Sequence, residues 1–179
     1  MNVAAFLAPN RAALRAWGLA LALASVVLPA IFRGPLFSQP PFPLAALWAA
    51  YGWAAEDEGD WRAPAALAAL GLLHDQLSGG PLGPFAFIYL ATYLIGRGAA
   101  VVMSAPNLVS LWGGFVVTAL LTIGLAKVIA PWAFGDSTSV RAYAEAAGIT
   151  AALFPIVRPL YMDSGPTMSA RTKLSGARR

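Results

Sequence analysis

Cysteine, histidine and charged residues are scarce in this chain. It has no cysteine and a single histidine, so disulfides and thiolate metal sites are excluded, and a zinc site would have no second histidine ligand. Only 11% of its 179 residues are charged, against about 25% in a soluble domain. The composition is 59% hydrophobic and the mean hydropathy is +0.66. Such a chain lacks the polar groups to cover a soluble surface, and we expect an integral membrane protein.

Long stretches contain no Lys, Arg, Asp or Glu. They cover 16–32, 34–55, 76–96 and 98–126, and about 20 apolar residues suffice for one membrane crossing. The apolar residues are continuous instead of alternating, which predicts helices and not barrel strands. The predicted fold is all-α and polytopic, with about six transmembrane helices near 16–32, 41–55, 64–77, 84–100, 108–130 and 142–161. Residues 1–161 form one transmembrane domain in this interpretation, and 162–179 form a basic, disordered tail.

The basic residues predict the orientation in the membrane. Six crossings put both termini on one side, and cytoplasmic loops are enriched in Lys and Arg. With cytoplasmic termini, the inner side holds Arg11, Arg15, Arg62, Arg97, Arg158, Arg171, Lys173, Arg178 and Arg179, and the outer side holds Arg33, Lys127 and Arg141. In a membrane protein the net charge of +4 reflects topology, and nucleic acid is not an expected partner.

Aromatic and small residues predict how these helices are placed. Trp48, Tyr51 and Trp53 suit the headgroup region, where aromatic side chains are enriched. The spacing of Ala65 and Ala69 permits close approach of backbones, which would place the third helix inside the bundle.

The fifth helix also has small residues on one face. Gly113, Gly114, Thr118 and Thr122 predict a packing surface there, and Gly-to-Leu changes at the two glycines would disrupt partner binding. Pro131 is expected to end this helix.

The most polar and flexible stretch is His74–Gly83. It contains the sole histidine, Asp75, and then Ser78, Gly79, Gly80, Pro81, Leu82 and Gly83, which no helix interior accepts easily. Three roles for Asp75 stay open: an interfacial carboxylate that is solvated or caps the break beside a hydrated His74; an ion pair with Arg33 or Lys127; or a proton- or ligand-handling group. Adjacent residues point to different helix faces, so His74 and Asp75 are not expected to form a catalytic dyad.

These same residues resemble a known family. Asp75, Ser78, Gly79, Pro81, Leu82 and Gly83, followed by an apolar run that ends in Tyr93-Leu94-Ile95-Gly96-Arg97, resemble the rod-shape-determining MreD family. The upstream prolines Pro40, Pro41 and Pro43 and the short helix with Trp48 fit as well, so the match covers about residues 40–100.

The resemblance implies a non-enzymatic subunit of the bacterial cell-elongation machinery in the inner membrane. It implies MreC, a bitopic membrane protein, as partner, and through it MreB and the peptidoglycan glycosyltransferase/transpeptidase pair. It also implies a fold similar to the substrate-binding subunits of energy-coupling-factor vitamin transporters. No cofactor or metal is expected.

Two other functions compete with a membrane scaffold. A vitamin-type importer subunit would need a deep outward pocket with polar walls, and the few polar candidates (Gln76, Thr92, Thr118 and Thr122) count against it. A lipid-handling enzyme would need a serine/histidine, paired-aspartate or HExxH set in the membrane, which the sequence does not offer.

Overall fold

The computed structural model describes residues 11–31, 44–56, 61–102, 107–134 and 140–162. Every regular element in these ranges is an α-helix, as the composition predicts. The six helices are α1 (Arg11–Ile31), α2 (Ala45–Glu56), α3 (Arg62–Ser78), α4 (Pro84–Val102), α5 (Leu108–Phe134) and α6 (Val140–Tyr161). Arg33, the prolines at positions 40, 41 and 43, and residues 163–179 of the tail predicted for 162–179 lie outside the described residues, whereas Met162 is described and is buried.

The observed helix ends differ from the predicted ones by a few residues in most places. The first helix begins five residues before the predicted residue 16, at Arg11, and α5 continues through Pro131 to Phe134 instead of ending at residue 130. Proline removes one backbone donor and its ring crowds the carbonyl four residues earlier, here that of Lys127, and the helix continues past this disturbed turn for three residues.

Two helices are long and apolar enough to cross a membrane, Leu108–Ala133 and Val140–Tyr161. Fewer than a third of their residues are buried within the chain. Both helices therefore expose apolar side chains to their surroundings, unlike the central helix of a soluble protein.

The centre of the bundle is α2, which packs against each of the five other described helices. Trp48 and Tyr51 are almost completely buried, so their predicted headgroup position is wrong; Trp53 is half-buried. Trp48 Nε1 donates a hydrogen bond of 2.8 Å to Thr150 O, and Tyr51 Oη donates one of 2.9 Å to Leu111 O. A helix that is apolar on all sides is buried on all sides, and each polar aromatic atom then needs a partner inside the protein.

The third helix is not the inner helix of the bundle. It buries a single stripe of Leu67, Leu70, Gly71 and Asp75, whereas Ala65 and Ala69 are exposed. The small residue that matters is Gly71, because a Cβ atom there would overlap the backbone of Ala86. Close approach at this position brings α3 against α4. The His74–Gly83 stretch forms the end of α3 and the turn that leads into α4.

Candidate functional site

Asp75 holds the turn between α3 and α4. Its side chain is fully buried, and its two carboxylate oxygens accept separate backbone hydrogen bonds. The amide of Gly83 donates to Oδ2 at 2.8 Å, and the amide of Phe85 donates to Oδ1 at 2.9 Å. These amides flank Pro84, the first residue of α4, which has no N–H to satisfy. Asp75 therefore caps the N-terminus of the following helix, where Gly83 has no side chain to do so.

The electrostatics of this arrangement are favourable. The first turn of a helix presents unpaired N–H groups and the positive end of the helix dipole. The carboxylate of Asp75 meets both needs within a water-poor interior. This geometry replaces the solvated carboxylate of the sequence interpretation and confirms the capping role.

Two glycines give the turn its shape. Gly79 has φ +71° and follows Ser78 as the left-handed cap of α3, and Gly83 has φ +118°. Side chains strain both conformations, although a Cβ atom at either position would meet no neighbour within 4 Å. The predicted break is confirmed, with Pro81 exposed and Gly80 half-buried between the two glycines.

The ion-pair hypothesis fails for Lys127. No Cα atom of α3 lies within 8 Å of one in α5, so the helix that carries Lys127 does not reach Asp75. The ammonium of Lys127 instead lies 5.8 Å from the ring centroid of Tyr143 on α6.

His74 packs α3 onto α4 beside this cap. Its ring stacks on Phe85 with centroids 3.7 Å apart and an interplanar angle of 12°, and a hydrogen bond of 2.6 Å joins its Nδ1 to Tyr89 Oη. His74 is half-buried and Tyr89 is buried, so His74 is not the hydrated neighbour that the sequence suggested. His74 and Asp75 have separate partners and do not hydrogen-bond to each other, as expected.

Sequence reasoning missed the residues of α4 that complete this cluster. Phe85 and Tyr89 are four residues apart and therefore lie on one face of the helix. That spacing is the available signal, but it does not reveal that the face meets a histidine. The cluster has no group of three His, Asp or Glu side chains to hold a metal, nor has any other part of the described ranges.

A second feature is an open groove between α5 and α6 with a volume of about 450 Å³. Its walls are apolar or small, and the two glycines that line it are Gly124 and Gly148. The charged residue among its lining residues is Lys127, beside Tyr143. The indole of Trp112 donates a hydrogen bond of 2.8 Å to Ala151 O at the opposite end.

The predicted packing surface of α5 is only partly used within the chain. Thr118 and Thr122 are buried, and a hydrogen bond of 3.0 Å joins Thr122 to Thr92 of α4. Gly114 is buried and its carbonyl accepts from Thr118, but a Cβ atom at Gly113 would meet nothing within 4 Å.

Comparisons with protein-family models, curated proteins and solved structures give no match for this chain. A proposal of function therefore depends on the motif residues and on the geometry of the described helices.

Proposed function

We propose that this protein is a multi-pass, non-catalytic subunit of the bacterial cell-elongation complex in the inner membrane, as its resemblance to MreD implies. Its direct partner would be an MreC-like bitopic membrane protein, and MreB and the peptidoglycan synthase pair would be linked through that partner. The proposed role is to hold partner helices in the membrane.

The apolar surface of the described helices supports a membrane location. Large hydrophobic side chains are exposed on several helices, among them Trp17, Leu94, Leu120, Val128 and Ile156. In water such a surface would drive aggregation, whereas in a bilayer it is solvated by lipid tails. Six crossings with both termini in the cytoplasm remain the orientation that the basic residues favour.

The observation that carries the scaffold proposal is the use of Asp75. This aspartate opens the motif through which the chain resembles MreD, and both of its oxygens are occupied by the backbone of α4. A buried carboxylate that caps a helix is not available to accept a proton from a substrate without breaking the cap. The motif therefore supports a structural turn between two helices instead of an active site.

The groove between α5 and α6 gives less support to the importer alternative. A vitamin has several polar groups, and a tight site would meet them with polar side chains. The groove walls are apolar apart from Lys127, which suits an apolar surface such as another helix.

Co-purification from membranes tests the proposed function. The tagged protein is isolated from its own organism in a mild detergent, and the bound chains are identified by mass spectrometry. We expect an MreC-like protein and the peptidoglycan synthase pair to be recovered, and depletion of the protein to turn rods into spheres. Recovery of an ATPase and a transporter subunit, with nanomolar binding of a vitamin, would establish the importer function instead.

A further inference from the structure

Arg158 of α6 has a guanidinium group that is partly enclosed without a partner. The side chain is half-buried. Its Nε atom is shielded from the surroundings and has no hydrogen-bond acceptor within the described part of the chain. A buried donor that is left unsatisfied costs free energy, and the cost is larger for a charged group. This arginine therefore gains stability from any acceptor that can approach its guanidinium group.

Arg158 lies on the face of α6 that packs into the bundle. It follows Phe154 by four residues and precedes Tyr161 by three, and both of these side chains are almost completely buried. Tyr161 fixes this end of the helix, because its Oη donates a hydrogen bond of 2.9 Å to Gly18 O of α1. A Cβ atom at Gly18, or at Gly52 of α2, would clash with the side chain of Tyr161. The packing of this tyrosine against α1 and α2 therefore sets the position of Arg158.

The carboxylates of the described ranges do not neutralise Arg158. They are Glu56, Asp75 and Glu145. Asp75 accepts two backbone hydrogen bonds at the start of α4, and Glu145 pairs with Arg141 near the other end of α6. Glu56 ends α2 and forms no ion pair with Arg158. An anionic acceptor for this arginine must therefore come from outside the described helices.

The depth of Arg158 indicates which acceptor it meets. Helix α6 has 22 residues and is about 33 Å long, close to the hydrocarbon thickness of a bilayer. Arg158 lies three residues before the end of this helix, about 4.5 Å along the axis, so its long side chain reaches the headgroup layer. Lipid phosphate surrounds a membrane protein at this level, and the planar guanidinium fork binds phosphate through charge-assisted hydrogen bonds.

We propose that Arg158, where α6 packs on α1 and α2, binds the phosphate group of a membrane phospholipid. Basic side chains between transmembrane helices at the cytoplasmic side are typical contacts of lipid headgroups, and the orientation favoured by the basic residues puts this end of α6 at that side. The inference goes beyond the proposed function. It requires insertion in a membrane, but it does not require a role in cell elongation.

Native mass spectrometry of the purified protein tests this site. The protein is stripped of lipid in detergent and mixed with phosphatidylglycerol or with a diacylglycerol that has the same acyl chains and no phosphate. We expect phosphatidylglycerol to stay bound when the detergent is removed in the gas phase, and diacylglycerol to be lost. Inorganic phosphate in large excess is expected not to displace the lipid, because the acyl chains contribute to binding.

Variants of α6 make the test specific. Arg158→Gln is expected to lower the retained phosphatidylglycerol about tenfold, since charge-assisted hydrogen bonds are lost. Arg141→Gln is the matched control, because this arginine is exposed near the other end of the same helix, and it should leave retention unchanged. Arg158→Lys keeps the charge and loses the fork, and its retention should lie between those of the wild type and Arg158→Gln. Monodisperse elution of each variant separates lost binding from lost folding, and the comparison of the two lipids on the wild type needs no variant.

Three outcomes would overturn the inference: equal retention of the two lipids, equal retention by the wild type and Arg158→Gln, or displacement of the lipid by inorganic phosphate. Loss of co-purified proteins from Arg158→Gln with unchanged lipid retention would also overturn it, and would assign the arginine to a protein contact. Recovery of the elongation proteins with the wild type would leave the proposed function standing in each case. Recovery of a different complex would leave the lipid site standing.

Discussion

The amide of Phe85 donates a hydrogen bond of 2.9 Å to the carboxylate of Asp75, ten residues earlier in the chain. A side chain near the end of one helix thus caps the start of the next, across a turn with two left-handed glycines. The ring of the same Phe85 stacks on His74. Phe85 therefore contacts Asp75 through its backbone amide and His74 through its side chain. Four experiments follow from this arrangement and from the packing around it.

Removal of the cap should destabilise the turn. Asp75→Ala leaves the half-buried amides of Gly83 and Phe85 without their carboxylate partner, at about 1–2 kcal/mol each. We expect the apparent Tm in detergent to fall by about 5–10 °C, and less complex to be recovered with the partner proteins. Thermal denaturation followed by size-exclusion chromatography measures the first effect, and co-purification yield the second.

Asp75→Asn is the matched variant, since the amide oxygen still accepts one of the two bonds. It should fall between the wild type and Asp75→Ala in both measurements. If Asp75→Ala kept the wild-type Tm and yield, the structural role of this carboxylate would be wrong. If it stayed intact and bound its partners but lost a reaction, a catalytic role would replace it.

The close approach of α3 and α4 should depend on Gly71. Gly71→Ala places a Cβ atom against the backbone of Ala86, which cannot move aside as a flexible side chain can. We expect a loss of about 1–3 kcal/mol, the usual range for overpacking, seen as a lower apparent Tm. Gly98→Ala is the control: that position is open, and alanine is the better helix former, so its Tm should be unchanged or raised. Equal effects of the two variants would contradict the close contact.

The hydrogen bond between His74 and Tyr89 should appear in a double-mutant cycle. His74→Phe keeps an aromatic ring against Phe85, and Tyr89→Phe removes only the hydroxyl. A net hydrogen bond is worth about 0.5–1.5 kcal/mol, so the double variant should lose less stability than the two single losses combined. Unfolding free energies of the four proteins in mixed micelles measure the coupling. Strictly additive losses would show that the contact contributes nothing to stability.

Tryptophan fluorescence in brominated lipids should report which side chains face the bilayer. Trp132 is 90% exposed and Trp48 only 2% exposed. With the other tryptophans replaced by phenylalanine, we expect strong quenching of Trp132 by lipid-borne bromine and weak quenching of Trp48. The reverse order would mean that α2 is not the enclosed helix. Strong quenching of neither would count against insertion in a membrane.

Some features of the fold followed from residue types alone. Scarce charge and long apolar runs predicted helices, and prolines and glycines predicted where they are interrupted, including the break at Ser78–Gly83. Helix ends were less accurate, because a proline does not always end a helix: Pro131 lies inside α5 and Pro155 inside α6.

The inner helix was misidentified for a physical reason. Small residues at helical spacing occur in α2 and α3 alike, and such spacing shows that close packing is possible without showing which neighbour uses it. Trp48 and Tyr51 suit both a headgroup layer and a core with carbonyl partners. The core position is established only by the tertiary structure, in which the carbonyls of Thr150 and Leu111 accept hydrogen bonds from Trp48 and Tyr51.

The sequence by itself determined the helical character and the glycine-rich turn. Both follow from properties of single residues: the free energy of transfer from water to lipid, and the preferred backbone dihedral angles. The tertiary structure decided the rest: which helix is enclosed, that Asp75 binds two amides instead of Lys127, and that α5 and α6 leave an open groove between them. Those relationships depend on which residues meet after the helices pack. Asp75 reaches the amides of Gly83 and Phe85 because Gly71 lets α4 approach α3 closely. The presence of an aspartate at position 75 does not by itself specify that contact.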